Sequence, residues 1–404
     1  MQCDKVLILS GDYGEGHQQA AKAIRESLNM NRPDVEVIHA DFMELAHPYF
    51  HLISRYLFVQ GIKTFPGAYG FLFDKTRSPN HFSYILKKLN RLGSGRLLKV
   101  LQTVRPSIVV STFPLAAGAM SMLKSNGLTA VPTATVITDH TDHSYWVYPH
   151  TDHYIVGSEA VKQGLLQYEI PAEQIAITGI PIRMEFSRQY DREELVRRYG
   201  LEPQLPTILL MGGGCGLFGD STSMVKALEA LPYKIQMIVV CGRNHKLQQQ
   251  LKEMLAASKH RVHILGYIEN VSEMMAVSDL MISKPGGLTI SEALAMELPM
   301  VIYNPLPGQE EDNAKFLLQS GAALQAQTLS DLGVIISKAL QHSDMLVAMR
   351  ARARLVQRKW ASLDAVRVIL QHKHIEITSI ERRKTWHARF SARLPAFSNH
   401  KSVR

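Results

Sequence analysis

The most informative stretch of the sequence is Ser283-Lys284-Pro285-Gly286-Gly287-Leu288-Thr289-Ile290-Ser291-Glu292-Ala293. The apolar residues 280–282 before it are typical of a short buried strand, and residues 288–296 after the glycines have the spacing of a helix packed on a sheet. Glycines at a helix start let backbone N–H groups approach a ligand, and the positive helix end favours a phosphate. Glu292 is placed to accept a hydrogen bond from a sugar hydroxyl. Many α/β proteins use such a join only to turn a corner, so the rest of the chain has to decide between these interpretations.

The length and composition indicate a globular protein of two domains. A chain of 404 residues can form two cores of roughly 150–200 residues each, and 46% hydrophobic with 20% charged residues fits a soluble protein. No apolar run approaches the roughly 18 residues of a transmembrane helix, and no signal peptide precedes the first strand. Three widely separated cysteines argue against a disulfide framework or a zinc site, which predicts a cytoplasmic location. The net charge of +9 suggests an anionic partner: nucleic acid, a lipid surface or a nucleotide.

The first half of the chain repeats the strand–glycine–helix pattern. Residues 6–10 predict a strand that ends in a glycine-rich turn reaching Gly16 and His17, and a helix follows with Ala20, Ile24 and Leu28 on one face. The spacing fits neither a P-loop nor a dinucleotide fingerprint. Ligands of open α/β sheets bind at this edge, where a helix N-terminus keeps an imidazole neutral. His17 therefore suits a base or a hydroxyl acceptor, and the alternative is a histidine that caps its own helix.

Residues 43–102 predict a mostly helical region in which aromatic side chains alternate with Lys and Arg. Tyr56, Phe58, Phe71 and Arg77 are representative members. Such a surface can bind an anionic bilayer or stack against nucleic acid. The composition equally fits ordinary core aromatics beside a solvated basic face, so the residues alone leave three interpretations open.

A predicted fourth strand, residues 133–137, opens onto a loop rich in His and Asp. The loop invites a metal hypothesis, but its members straddle two strands without a helical pair of histidines, which argues against a metal site. A polar loop that faces a ligand through Asp139, His140 and Trp146 is the better interpretation.

The second half begins after a charged segment, residues 186–206, that reads as a linker. Strand 207–211 is followed by a glycine run whose amides can wrap a diphosphate, with Gly214 and Gly216 in it. Arg243 follows the strand 235–240 and could pair with phosphate or cap a helix. After the strand 300–303, the amide and carboxylate groups of three residues suit the hydroxyls of a sugar, although an unliganded capping cluster would look similar: Gln309, Glu310 and Asn313. Residues 344–371 predict one long basic helix.

Five motifs in order carry a family resemblance. They are Gly14-Glu15-Gly16-His17, Met211-Gly212-Gly213-Gly214, Cys241-Gly242-Arg243-Asn244, Lys284-Pro285-Gly286-Gly287 with Ser291-Glu292-Ala293, and Pro307-Gly308-Gln309-Glu310 with Asn313. Over residues 5–370 the chain resembles the monogalactosyldiacylglycerol synthase and processive diacylglycerol glucosyltransferase family, in its bacterial branch, within glycosyltransferase family 28. Asp312 departs from relatives, and the basic tail 372–404 lies beyond the resemblance.

The resemblance implies an α/β fold of GT-B type, with two Rossmann-like domains facing each other across a cleft. The expected division is an acceptor-binding and membrane-docking domain over 1–185, the linker 186–206, a UDP-sugar domain over 207–345, a C-terminal helix over 346–371 packing back toward the first domain, and a flexible tail over 372–404. The implied activity is inverting transfer of glucose or galactose from a UDP-sugar to diacylglycerol at the inner face of the cell membrane. A different acceptor, or an epimerase or hydrolase on this fold, is the alternative.

The resemblance also assigns roles to residues. Gly214 and Gly216 would contact the diphosphate, with Arg243 nearby, and Gly286, Gly287 and Thr289 would form its second wall. The Ile268 backbone would meet the uracil, Glu292 the ribose, and Gln309, Glu310 and Asn313 the hexose. His17 or Asp139 would act as the base. Gly16, Trp146, Tyr56, Phe58, Phe71 and Arg77 would serve the acceptor and the membrane. Positive helix ends would stabilise the leaving UDP without a metal or cofactor. The expected partners are UDP-glucose or UDP-galactose, diacylglycerol and anionic lipids, with no nucleic acid.

Overall fold

The computed structural model describes residues 4–49, 51–80, 83, 93–212 and 221–371. The N-terminal domain is built on a parallel sheet of six strands in the order β2-β1-β3-β4-β5-β6. Its strands are β1 Lys5–Ser10, β2 Glu36–Asp41, β3 Ile108–Ser111, β4 Thr133–Val136, β5 His153–Val156 and β6 Ile175–Ile177. Helices cover both faces, so the central strands are continuous apolar runs, and Val6 to Leu9 are fully buried.

The C-terminal domain repeats this architecture with the strand order β12-β11-β10-β7-β8-β9. Its strands are β7 Thr207–Met211, β8 Gln236–Val240, β9 Arg261–Leu265, β10 Leu280–Ser283, β11 Met300–Tyr303 and β12 Ala323–Ala326. β10 lies between β7 and β11, with Ile282 paired to Leu210 and Val301. Residues 283–293 therefore leave the centre of this sheet.

The helices of the described residues are numbered in chain order. Those of the N-terminal half are α1 Glu15–Asn31, α2 Phe42–Ala46, α3 His51–Thr64, α4 Pro66–Arg77, α5 Ser94–Val104, α6 Pro114–Ser125, α7 Glu159–Gln167 and α8 Arg192–Arg198. Those of the C-terminal half are α9 Ser221–Glu229, α10 His245–Met254, α11 Val271–Val277, α12 Gly287–Ala295, α13 Gln309–Ser320, α14 Leu329–Gln341, α15 Ser343–Val356 and α16 Ala361–Gln371. Short 3-10 turns lie at Ser144–Trp146, Ala172–Gln174 and Met184–Ser187.

The structure differs from the sequence prediction at the end of the described chain. The single helix expected over 344–371 is wrong, because Gln357 adopts an extended conformation and separates α15 from α16. The break lets the chain return to the N-terminal domain, where Ala365, Val366 and Ile369 join the core beside α1. Within the segment 186–206, α8 buries Leu195 and Val196 in the core of the C-terminal domain. The tail 372–404 lies outside the described residues.

Candidate active site

The N-termini of α1 and α12 meet where the two sheets face each other. A Cβ on Gly16 would lie 3.5 Å from the Leu288 side chain, which is ordinary contact. A Cβ on Gly287 would lie 2.1 Å from the Thr138 carbonyl oxygen and 2.9 Å from Asp139 Oδ1. No other residue type fits at 287 without moving the domains apart. This glycine therefore permits a backbone contact between the two halves of the molecule.

His17 lies in the cleft wall formed by the N-terminal domain. Its Nδ1 is 3.0 Å from Thr138 Oγ1, and its ring makes edge contacts with Phe113 and Trp146, at centroid distances of 5.3 and 5.9 Å. Burial lowers the pKa of His17 to about 4. The imidazole is therefore neutral at physiological pH, as predicted from the sequence. That prediction relied on the helix N-terminus, and the structure adds burial among these aromatic rings as a second cause.

Asp139 is the acidic group at the meeting point of the domains. Asn313 Nδ2 donates to Asp139 Oδ1 at 2.9 Å, while Asn313 Oδ1 accepts the His140 backbone N–H at 2.6 Å. Burial raises the pKa of Asp139 to about 7, with the hydrogen bond from Asn313 opposing it and the charge of Glu310 adding to it. A carboxylate with this pKa can accept a proton and release it near neutral pH.

The residues predicted to hold a sugar begin α13, beside Asp139. Glu310 Oε1 pairs with Lys284 Nζ at 2.9 Å, and Glu310 Oε2 accepts the Leu306 backbone N–H at 2.7 Å. Gln309 Oε1 accepts a hydrogen bond of 2.5 Å from the Tyr69 hydroxyl of the N-terminal domain. The loop is thus fixed from both domains. The sequence predicted no individual role for Lys284 or Tyr69. Lys284 could have been predicted, because it lies beside Pro285 and the two glycines that begin α12.

Two residues predicted to meet the nucleoside lie in the C-terminal domain, Glu292 on α12 and Ile268 after β9. Burial raises the pKa of Glu292 to about 8, against the opposing charge of Arg183. A protonated Glu292 can both donate to and accept from a hydroxyl pair such as that of ribose. Ile268 follows the exposed Tyr267 just after β9, and Thr289 lies in the first turn of α12. Gly214 and Gly216 lie outside the described residues.

Arg243 contacts the opposite domain. Its Nη1 is 2.9 Å from Glu15 Oε1 of α1, and its guanidinium lies 5.0 Å from the centre of the Tyr267 ring. Asn244 is the residue that caps α10, since its side chain accepts the Leu247 N–H. The helix-capping alternative for Arg243 is therefore wrong, because its guanidinium contacts Glu15 and Tyr267 instead.

The His- and Asp-rich loop is largely structural. The expectation that His140 faces a ligand is wrong, because its buried ring stacks on Phe316 at 3.7 Å, and burial lowers its pKa to about 3. Asp152 pairs with Lys124, and His143 bonds to the Phe73 carbonyl. Within the described ranges no cluster of three His, Cys, Asp or Glu side chains could share a metal ion. The absence of a metal or cofactor from the reaction stays a prediction.

The outer surface of α3 and α4 is apolar. Nine large hydrophobic side chains between residues 49 and 72 are exposed: Tyr49, Leu52, Ile53, Tyr56, Leu57, Phe58, Phe65, Phe71 and Leu72. We call this set the α3–α4 surface. The interpretation of these aromatics as ordinary core is therefore wrong for this set. Trp146 does not belong to it, since it is buried against His17. Arg77 pairs with Asp312 of α13 at 2.9 Å. Across the described chain no helix is long and apolar enough to span a membrane.

The fold and the cleft define a class of protein. The chain superposes on Acinetobacter baumannii MurG with a TM-score of 0.61 and 18% identity, covering 91% of this chain and 99% of the other. Anabaena HepE in complex with UDP and glucose gives 0.55 and 16%, covering 91% and 98%. A UDP-GlcNAc 2-epimerase from Neisseria meningitidis gives 0.58 and 15%, covering 91% and 100%. Because all three identities are below 25%, these likenesses concern the fold alone. The protein has the two-domain GT-B architecture of nucleotide-sugar glycosyltransferases.

Sequence similarity gives the family. The monogalactosyldiacylglycerol synthase family model matches residues 17–182, and the glycosyltransferase family 28 C-terminal domain matches residues 207–359. A processive diacylglycerol β-glucosyltransferase from Bacillus cytotoxicus is 31% identical over 93% of this chain and 96% of its own length. The one from Bacillus thuringiensis is 32% identical over 92% and 95%. The chain belongs to this family of glycosyltransferases, and the resemblance found in the five motifs is confirmed.

Proposed function

We propose that this protein transfers a hexose, preferentially glucose, from a UDP-sugar to diacylglycerol and so makes a membrane glycolipid. The observation that carries the proposal is the contact of Asp139 with Asn313 and the Gly287 N–H. These contacts join a titratable group of the N-terminal domain to the first residue of α12 and to α13, the helix that begins with Gln309 and Glu310, in the C-terminal domain. The names of the curated relatives support glucose as the hexose and diacylglycerol as the acceptor.

The proposed reaction is a single displacement in which Asp139 is the base. The carboxylate takes the proton of the acceptor hydroxyl, the hydroxyl oxygen bonds to the anomeric carbon, and the bond from that carbon to the UDP oxygen breaks. The configuration inverts, and the charge that develops on UDP is stabilised by the N-terminus of α12. His17, neutral and bonded to Thr138, orients the acceptor hydroxyl.

Diacylglycerol lies in a bilayer, so the enzyme has to work at a membrane surface. The α3–α4 surface supports peripheral docking, because contiguous exposed apolar side chains mark interaction sites and bury favourably in lipid. The net charge of +9 supports a preference for anionic lipids at the inner face of the membrane.

Release of UDP from UDP-glucose and UDP-galactose tests the proposal, measured with and without diacylglycerol in anionic vesicles. We expect turnover that requires diacylglycerol and favours UDP-glucose. His17→Ala should lower turnover without weakening UDP binding. Lipid-independent turnover would contradict the proposal and favour a hydrolase or an epimerase.

A further inference from the structure

Helix α4 of the N-terminal domain packs on Pro307 and Gly308 of the C-terminal domain, in the loop that precedes Gln309. A Cβ on Gly70 would lie 2.4 Å from Pro307 Cβ, and a Cβ on Gly308 would lie 2.9 Å from Cγ of the Phe73 ring. Gly308 also has a φ of +94°, which favours glycine. Because neither glycine carries a side chain, α4 can pack directly against the loop that precedes Gln309.

Tyr69 lies on this face of α4 and points at Gln309. Its hydroxyl donates to Gln309 Oε1 at 2.5 Å. Burial and the charges of Asp139 and Glu310 raise the pKa of Tyr69, so the hydroxyl keeps its proton. Because the amide oxygen accepts this hydrogen bond, the amide NH2 group is the part of Gln309 that can be offered to a ligand.

The neighbouring carboxylate has the complementary polarity. Glu310 is fixed by Lys284 on one oxygen and by the Leu306 N–H on the other, and a carboxylate can only accept hydrogen bonds. Gln309 and Glu310 therefore present a donor beside an acceptor. Two adjacent hydroxyls of a hexose, one accepting and one donating, match this pair.

We infer that Tyr69 is a positioning residue for the donor hexose: it fixes the amide of Gln309, from α4, in the orientation that reads the sugar hydroxyls. The inference rests on the proposed function. It adds a group from the acceptor-binding domain to the recognition of the donor, so the hexose is read from both domains.

Calorimetric binding of UDP-glucose and of UDP to the full-length protein tests the inference without any acceptor. Tyr69→Phe should weaken UDP-glucose by about 3- to 10-fold, the worth of one hydrogen bond, and leave UDP unchanged. In a separate transfer assay with diacylglycerol, the preference of Tyr69→Phe for UDP-glucose over UDP-galactose, compared as kcat/KM, should fall. Tyr154→Phe is the matched control, since it removes a buried hydroxyl bonded to the Tyr148 carbonyl in the core of the same domain. It should change neither affinity.

A glycine pair on α4 provides a second, independent perturbation. Gly70→Ala keeps the Tyr69 hydroxyl but pushes α4 off Pro307, and it should reproduce the selective loss of UDP-glucose affinity. Gly67→Ala is its control, because a Cβ there meets nothing within 4 Å.

The outcomes separate the inference from the function on which it rests. Unchanged UDP-glucose affinity in Tyr69→Phe, or an equal loss for UDP and UDP-glucose, would overturn the positioning role while diacylglycerol-dependent transfer by the wild type still stood. A wild-type protein that binds UDP but no UDP-hexose would overturn both.

Discussion

Adding one methyl group at Gly287 should lower kcat for hexose transfer while leaving the affinity for UDP nearly unchanged. A Cβ there would lie 2.1 Å from the Thr138 carbonyl oxygen, whereas real Cβ contacts are essentially never shorter than 3.0 Å. Gly287→Ala therefore requires the two domains to move apart by about 0.9 Å at this point, because a backbone carbonyl cannot swing aside as a side-chain end does.

The displacement acts directly on the two groups proposed to take part in the reaction. Asp139 follows Thr138 in the chain, and Thr138 Oγ1 is hydrogen-bonded to His17. Asp139 and His17 would therefore move away from the proposed UDP-sugar site together. A misplacement of about 1 Å lowers a rate by about 100-fold, and we expect this loss in kcat for hexose transfer to diacylglycerol in vesicles. The backbone N–H of residue 287 is kept, so UDP affinity should change by less than about threefold, well under the 1.4 kcal/mol of a tenfold effect.

Two alanine variants isolate the cause. In Gly286→Ala the Cβ meets only Thr289 Oγ1 of the protein, at 3.7 Å, so the domains need not move apart. Because Gly286 belongs to the predicted diphosphate wall, a loss there should appear in UDP affinity rather than in kcat. Gly333→Ala, in open space on α14, should behave as the wild type. Wild-type kcat in a folded Gly287→Ala protein would refute the argument that the domains meet here during the reaction.

Two further predictions concern pH and the membrane. Because burial raises the pKa of Asp139 to about 7, transfer should fall about tenfold per pH unit below 7, and Asp139→Asn should be slow with no such acid limb in its pH–rate profile. The unfolded carboxyl ionises near 3.8 and the folded one near 7, so the folded state holds the extra proton; thermal melts should show the wild type losing stability relative to Asp139→Asn as pH rises between these values. Tyr56→Ser with Phe71→Ser should weaken vesicle co-sedimentation by about tenfold or more per side chain, since burying one such side chain is worth about 1.5–3 kcal/mol. Leu355→Ser, equally exposed but on α15, should not weaken it, and equal losses would contradict docking through the α3–α4 surface.

The strands were predictable because parallel strands buried on both faces are continuous apolar runs. Six buried strands inside the two sheets were predicted in this way: β1, β4, β7, β8, β10 and β11. The edge strands β6 and β12 were missed. β6 has three residues and β12 has four, and segments this short carry too little pattern to predict a strand. The break between α15 and α16 was missed for a different reason. Its cause is the return of the chain to the other domain, which leaves no local signal.

The site was predictable as a set of positions but not as a set of contacts. Glycine-rich joins after buried strands locate His17, Gly287 and Gln309 at sheet edges, and that reasoning uses sequence neighbours alone. The pairs Tyr69–Gln309 and Asp139–Asn313 are separated by 240 and 174 residues, and only the facing of the two domains brings them together. The raised pKa of Asp139 is a product of the same meeting and has no sequence signature.

The environments of His17 and Asp139 distinguish between these two candidate bases. An effective base has a pKa near the operating pH, because it must be unprotonated before the reaction and still hold the proton it takes. His17, with a pKa lowered to about 4 among aromatic rings, is unprotonated at neutral pH but holds a proton poorly. Burial at the domain contact raises the pKa of Asp139 to about 7. Of the two neighbours from the other domain, Asn313 opposes this shift through its hydrogen bond and Glu310 adds to it through its charge. In the proposed reaction, proton transfer therefore depends on the same domain contact that forms the proposed donor site. A pair of domains held apart would lack both the base with a pKa near 7 and the complete sugar site.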